Sequence, residues 1–263
     1  MGGCSTNKRK ELVEDEIVQS IRWSLDSNNM GSIPNYLIHL DEITHSSIHT
    51  LNSSIFIHKN MKIPILGYTL CKNQLKQFKY LYEHLNAEPS TMEKAFNTYN
   101  ETGISIICEN NNIDFLEYYL PIYEEFDSQP ANSKNNSTTV QKLALNGNLL
   151  MLSKIFKYFE CKSYMPACLD LGYINKETGE NTALCACRSG KFSIIKFLYE
   201  RCKLDFTLVN SAGENALTII LRSGNTEKGY WASFVFIKKV IGIEVQNILT
   251  ADELNLLSRI LNE

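Results

Sequence analysis

The chain has 263 residues, 44% of them apolar and 21% charged, with a formal net charge of −3. That is long and apolar enough to bury a full core or to build an elongated repeat array, which excludes disorder over most of the length. So small and negative a charge offers no basic excess for a polyanion, excluding a nucleic-acid role, and no window reaches the roughly 18 uncharged apolar residues of a spanning helix.

The first element is the arm at residues 1–10. Met1-Gly2-Gly3-Cys4-Ser5-Thr6 satisfies the N-myristoylation pattern, in which Gly2 becomes the acceptor amine once Met1 is removed and Thr6 fills the hydroxyl position. One myristoyl chain gives only marginal, reversible membrane binding, so stable anchoring needs a second signal. Two follow at once: Cys4, a site for palmitate, and the triplet Lys8, Arg9, Lys10, worth about 1 kcal/mol per charge near an anionic leaflet. No secretory stretch opens the chain, and its eight cysteines are spread singly through apolar runs, as free thiols in a reducing compartment are. The expected location is cytoplasmic, peripheral to a membrane and lipid-anchored.

Residues 11–60 read as an N-terminal helical cap or degenerate repeat. Leu12, Ile17, Ile21 and Trp23 stand among polar residues as the apolar stripe of a capping helix, and Met30–Asn60 reads as helical pieces or an eroded repeat.

Residues 61–241 follow one template: a short apolar segment, a turn at Asn or Gly, then an amphipathic helix. The first copy runs from Ile63-Pro64-Ile65-Leu66 through Asn73 to Leu75, Phe78, Leu81 and Tyr82. The second runs from Ile104–Cys108 through Asn110 and Asn112 to Ile113, Leu116, Tyr119 and Leu120. A Ser- and Asn-rich loop at 128–139 precedes the third, Leu143–Gly147 followed by Leu149, Leu152, Ile155, Phe156 and Phe159. Residues 163–176 read as an insertion. The last two copies are the sharpest: Gly179-Glu180-Asn181 recurs as Gly213-Glu214-Asn215 and Arg188-Ser189-Gly190 as Arg222-Ser223-Gly224, both at a spacing of 34. Shared identities at one offset signal a structural repeat. Residues 242–263 close the chain as a capping helix, opened by the capping-box pattern Thr250-Ala-Asp-Glu253.

The run Gly179-Glu-Asn-Thr-Ala-Leu through Gly190-Lys-Phe-Ser-Ile-Ile-Lys-Phe-Leu resembles an ankyrin repeat, with Gly179, Ala186, Gly190, Ile194, Ile195 and Leu198 on that family's pattern and Gly213, Leu217 and Gly224 on it in the next copy. The Thr-Pro-Leu-His turn of the family is nearly absent, Ile63-Pro64-Ile65-Leu66 being its nearest echo. A tetratricopeptide array shares the 34-residue period, but the short first helix ending at Gly or Asn favours the ankyrin type. The resemblance implies an all-α helical repeat solenoid of about five divergent repeats that binds other proteins.

Catalytic signatures are lacking: no Gly-x-Ser-x-Gly elbow, Walker A loop or dinucleotide fingerprint occurs. His45 and His49 stand four apart near Asp41 and Glu42, but no further ligand completes a metal set. Cys185 and Cys187 fit packing better than redox chemistry. The expectation is a protein without catalytic activity, cofactor or metal. Arg188 and Arg222, at equivalent positions, are candidate receivers of partner carboxylates, and Lys176, Glu180 and Glu214 mark exposed hairpin tips where such arrays make contacts. The leading functional expectation is a membrane-anchored scaffold or adaptor; the alternative is a structural subunit of a large assembly.

Overall fold

The computed structural model describes residues 16–44, 52, 56–126, 137–162, 165–222 and 228–243, and falls into two units, Met1–Asn132 and Ser133–Glu263. The described residues are mostly helical, with a single two-stranded sheet among them. The arm at 1–10, most of the loop at 128–139 and nearly all of the capping helix expected at 242–263 lie outside the described residues.

In the first unit, helix α1 (residues 16–26) buries Ile17, Ile21 and Leu25 on one face. Trp23, expected on that face, is 62% exposed on the other: its place in the sequence is two residues from Ile21, the wrong side at 100° per residue. A 3-10 turn (Met30–Ser32) leads into α2 (Ile33–Thr44). Next comes a short hairpin at the end of the stretch read as a helical cap or degenerate repeat. Strands β1 (Phe56–His58) and β2 (Met61–Ile63) form an antiparallel hairpin pairing Phe56 with Ile63 and His58 with Met61. Lys59 and Asn60 turn it with φ of 45° and 67°, the pair of positive values that a tight two-residue hairpin takes. Phe56 and Ile63 point inward and are fully buried, while Ile57 between them is exposed, the alternation of a strand with one wet face.

Two helix pairs follow: α3 (Ile65–Cys71) with α4 (Leu75–Leu85), and α6 (Gly103–Glu109) with α7 (Ile113–Phe126). Between them stands α5 (Pro89–Asn97), a helix that the repeat template does not contain. It packs against α3, α6 and α7 through Met92 and Phe96, both fully buried. Its Glu93 is also buried; Oε1 accepts from the Gly103 amide at 2.9 Å and from the Tyr119 hydroxyl.

The second unit holds three pairs: α8 (Thr139–Leu145) with α9 (Leu149–Phe159), α10 (Thr182–Ser189) with α11 (Phe192–Glu200), and α12 (Ala216–Arg222) with α13 (Lys228–Phe236). A π-helical turn, Ile237–Ile241, extends α13 and ends at Gly242. The first helices lie side by side, α10 between α8 and α12. Every residue of α10 from Thr182 to Cys187 is consequently buried, as expected for a helix packed on several sides. The second helices meet through rings: Phe156 of α9 with Phe197 of α11, and Phe192 and Tyr199 of α11 with Phe236 of α13. The stretch at 163–176, read as an insertion, is packed where described: Leu169 is fully buried in a 3-10 turn, Ala167–Leu169, against α8.

Four turns between paired helices share one bonding scheme. Asn73, Asn111, Gly147 and Gly190 all take positive φ, a conformation that Gly and Asn adopt at low cost. Their amides donate to the carbonyls of Leu70, Cys108, Ala144 and Cys187, three residues back in each case. Each turn residue also lies nine places beyond a first-helix cap, at Pro64, Thr102, Thr138 and Asn181.

Candidate functional site

The sharpest repeat signature builds a charged network in the second unit. Ahead of α10, the Asn175 amide donates to the Glu180 carbonyl at 2.9 Å, and its side-chain oxygen accepts from the amides of Glu177 and Thr178. Ahead of α12 the same turn is made with one residue fewer: the Asn210 amide donates to the Glu214 carbonyl at 2.9 Å, and its side chain accepts from Ala212 and Glu214. Asparagine suits both places because its side chain satisfies the amides of a tight turn. Gly179 is required where the two turns meet. Its φ is +71°, a Cβ there would lie 2.7 Å from the Ser211 nitrogen, and that same amide donates to the Thr178 carbonyl at 2.9 Å.

Each turn delivers a glutamate to the residue before a helix cap, Asn181 or Asn215, whose side chain accepts from the amide three residues on. Each helix then carries an arginine in its last turn. Helical side chains lean toward the N-terminus, which aims the arginines back at these carboxylates. Arg188 Nε donates to Glu180 Oε1 at 2.8 Å and Nη2 also meets that oxygen, while Nη2 reaches Glu214 Oε2 of the following pair at 3.0 Å. Arg222 Nη1 donates to Glu214 Oε1 at 2.9 Å. Asn210 Nδ2 completes the ladder, donating at 3.0 Å to both Glu180 Oε1 and Glu214 Oε2.

Burial pushes the Glu214 carboxyl up, but hydrogen bonds from Asn210 and Arg222 and the charge of Arg188 outweigh it, holding the group below its ordinary value. The hydrogen bond to Glu180 leads the causes that raise Arg188 further.

The sequence expectation placed Glu180 and Glu214 at exposed tips; the structure buries both side chains. They are buried because the arginines read as receivers of a partner's carboxylates receive these two from their own chain. What faces solvent is the outer part of Arg188 and Arg222, at 41% and 37% side-chain exposure, together with Lys176 and two aliphatic residues at matching places before the turns, Ile174 and Val209. Sequence reasoning missed Asn210, whose counterpart Asn175 was the available signal.

Cys185 and Cys187 are buried in α10, and burial pushes the Cys185 thiol up to about 12 and raises Cys187 likewise. Gly2, Cys4, Lys8, Arg9, Lys10, His45 and His49 lie outside the described residues. Among the described residues no cluster of His, Cys, Asp and Glu is placed to hold a metal ion, and no helix is long and apolar enough to cross a membrane. Comparison of the chain with protein-family models and with curated proteins yields no match.

Proposed function

We propose that this chain is a non-catalytic scaffold of divergent ankyrin-type repeats that holds a protein partner at the cytosolic face of a membrane, anchored through myristate on Gly2 and palmitate on Cys4. The observation that carries the repeat reading is the common register of the turns at Asn73, Asn111, Gly147 and Gly190. Two hairpin turns joined through Ser211 and Thr178 add to it, because tandem units that bond only to their neighbours are the structural logic of such arrays. The partner-binding reading draws on the solvent-exposed residues of the second unit around the two hairpin turns, Ile174, Lys176 and Val209, and on the exposed parts of Arg188 and Arg222. Aliphatic residues beside positive charge suit a partner segment with apolar anchors and an acidic rim. The anchor rests on the N-terminal motif alone, and Lys8, Arg9 and Lys10 would add attraction to anionic lipid.

Intact mass of the protein from its own cells, with fractionation of wild type and Gly2→Ala, tests the anchor. The expected result is an acylated mass and release of the variant from membranes; an unmodified mass removes the lipid anchor. Partner recovery with Ile174→Asp/Val209→Asp tests the face. Equal recovery by both forms removes it from the binding surface, and retention of Gly2→Ala in a detergent-resistant assembly favours a structural subunit.

A further inference from the structure

The two ladder positions recur in the first unit with different occupants. The place seven residues beyond the cap, held by Arg188 and Arg222 after Asn181 and Asn215, is held by Cys71 after Pro64 and by Glu109 after Thr102. The place before the cap, held by Glu180 and Glu214, is held by Ile63 and Glu101. Glu101 therefore corresponds to Glu214, and Cys71 to the arginine that neutralises it. Exchanging arginine for cysteine shortens the side chain and removes its cation. At this location the first unit has a cleft of about 350 Å³ lined by Cys71, Glu101, Glu109, Tyr99, His58 and Lys59. That is at the lower bound of small-molecule sites, a size suited to one side chain.

The cleft walls are fixed. Ser105, which forms the capping box of α6 with Thr102, donates from Oγ to Glu101 Oε2 at 2.7 Å. The Tyr99 hydroxyl is tied to the Lys62 amide at 2.9 Å. Asn110, also on the lining, donates to the Leu70 carbonyl at 3.4 Å. Burial, then Lys59 and Lys72, lower the His58 pKa, so its ring brings little positive charge to the wall near neutral pH. Lys59 is the cation among the lining residues, exposed at the hairpin tip.

We propose that this cleft is a socket for one arginine side chain of a protein partner, in which Glu101, flanked by Glu109, receives the guanidinium as Glu214 receives that of Arg188. The inference rests on the protein-binding reading above, but its test involves none of the residues of the second unit. A guanidinium fits better than an ammonium because it pairs with carboxylates through a planar fork and stacks on an aromatic face such as Tyr99.

The test is titration of the isotopically labelled full chain with the blocked tripeptide acetyl-Gly-Arg-Gly-amide, read by amide shifts of Tyr99, Glu101 and Asn110. A single pair of this kind should saturate at a Kd on the order of millimolar. The neutral citrulline peptide should bind at least about tenfold more weakly, and Glu101→Gln, which keeps the shape of the wall, should lose the arginine preference. Cys71→Arg places the cation in the chain and should abolish binding with the circular dichroism spectrum unchanged; if that variant does not fold, Glu101→Gln carries the test. Equal shifts from the citrulline peptide, or undiminished binding by Glu101→Gln, overturn the socket. Failure of Ile174→Asp/Val209→Asp to alter partner recovery would leave this titration untouched. A silent titration beside intact partner recovery would remove the socket alone.

Discussion

Tyr230 lies so close over Gly190 that a Cβ on the glycine would overlap the phenol ring. The contact is held by a bond from the Tyr230 hydroxyl to the Arg188 carbonyl at 3.2 Å and by Ser233, which donates to the Gly190 carbonyl at 3.1 Å. Gly190 also has a φ of +63°, so two independent constraints fall on one residue. Gly190→Ala is expected to destabilise the second unit by about 2–3 kcal/mol, roughly 1 from the backbone and the rest from displacing the ring. Gly213→Ala, where φ is +76° and no atom lies within 4 Å of a Cβ, should show the backbone part alone. Urea unfolding followed by circular dichroism checks both. In a Tyr230→Ala background the cost of Gly190→Ala should fall to about 1 kcal/mol, its backbone part.

The Arg188 ladder predicts a pH dependence. Glu214 titrates below its ordinary value of 4.5 in the folded chain, so its contribution is fully present above the unfolded value and disappears as pH falls through the lower folded one. Wild type should lose urea resistance as the pH falls below 4.5, and Glu214→Gln should flatten that acid limb. Arg188→Ala leaves the buried Glu180 carboxylate without its cation and Glu214 with Arg222 alone. Because the arginine is partly exposed, a loss of about 2 kcal/mol at pH 7 is expected, less than for a fully buried pair. An acid limb of the same steepness in Glu214→Gln would contradict the assignment.

Thiol labelling should follow burial. Burial raises Cys187, and pushes Cys71, Cys185 and Cys202 up to about 12, whereas Cys161 is exposed. An aromatic disulfide reagent at pH 8 should modify Cys161 well ahead of Cys185 and Cys187, which should react only at the rate of unfolding. Peptide mapping by mass spectrometry gives the order, and early modification of Cys187 would contradict its packing.

Glu93 ties α5 to the start of α6. Glu93→Ala removes the acceptor of the Gly103 amide and of the Tyr119 hydroxyl in a buried place, at an expected cost of about 2–3 kcal/mol. Hydrogen exchange at Gly103 should accelerate in this variant. Glu93→Gln, which keeps an acceptor, should retain most of the protection.

The paired helices were legible because their signals are local. An apolar run such as Ile104–Cys108, an Asn or Gly that accepts positive φ, and the spacing of Leu149, Leu152, Ile155 and Phe156 each act within a few residues. The hairpin at Phe56–Ile63 was not, since three-residue strands carry too little alternation to register. Helix α5 escaped because beyond Pro89 at its start only Met92 and Phe96 mark its buried face, and the remaining buried residue is a carboxylate. At the site, the Glu-to-Arg spacing of 180 to 188 and 214 to 222 was in plain sight, but the partners of Arg188 sit on two different turns. That fact depends on how neighbouring pairs stack, and periodicity along one strand of text does not contain it. Trp23 shows the reverse error, where hydrophobicity alone suggested a buried residue and the helical angle denied it.

The ladder of the second unit has a consequence for how such a chain can grow. The last two helix pairs each bring one acid and one base, and Arg188 reaches both its own Glu180 and the Glu214 of its successor. A tandem duplication of this segment would therefore insert already carrying both halves of its connectors, one acid and one base, in register on either side. Lengthening by whole segments then needs no compensating substitutions, whereas cysteine in place of arginine, as at the corresponding Cys71, leaves Glu101 without the guanidinium that Glu214 has from Arg188.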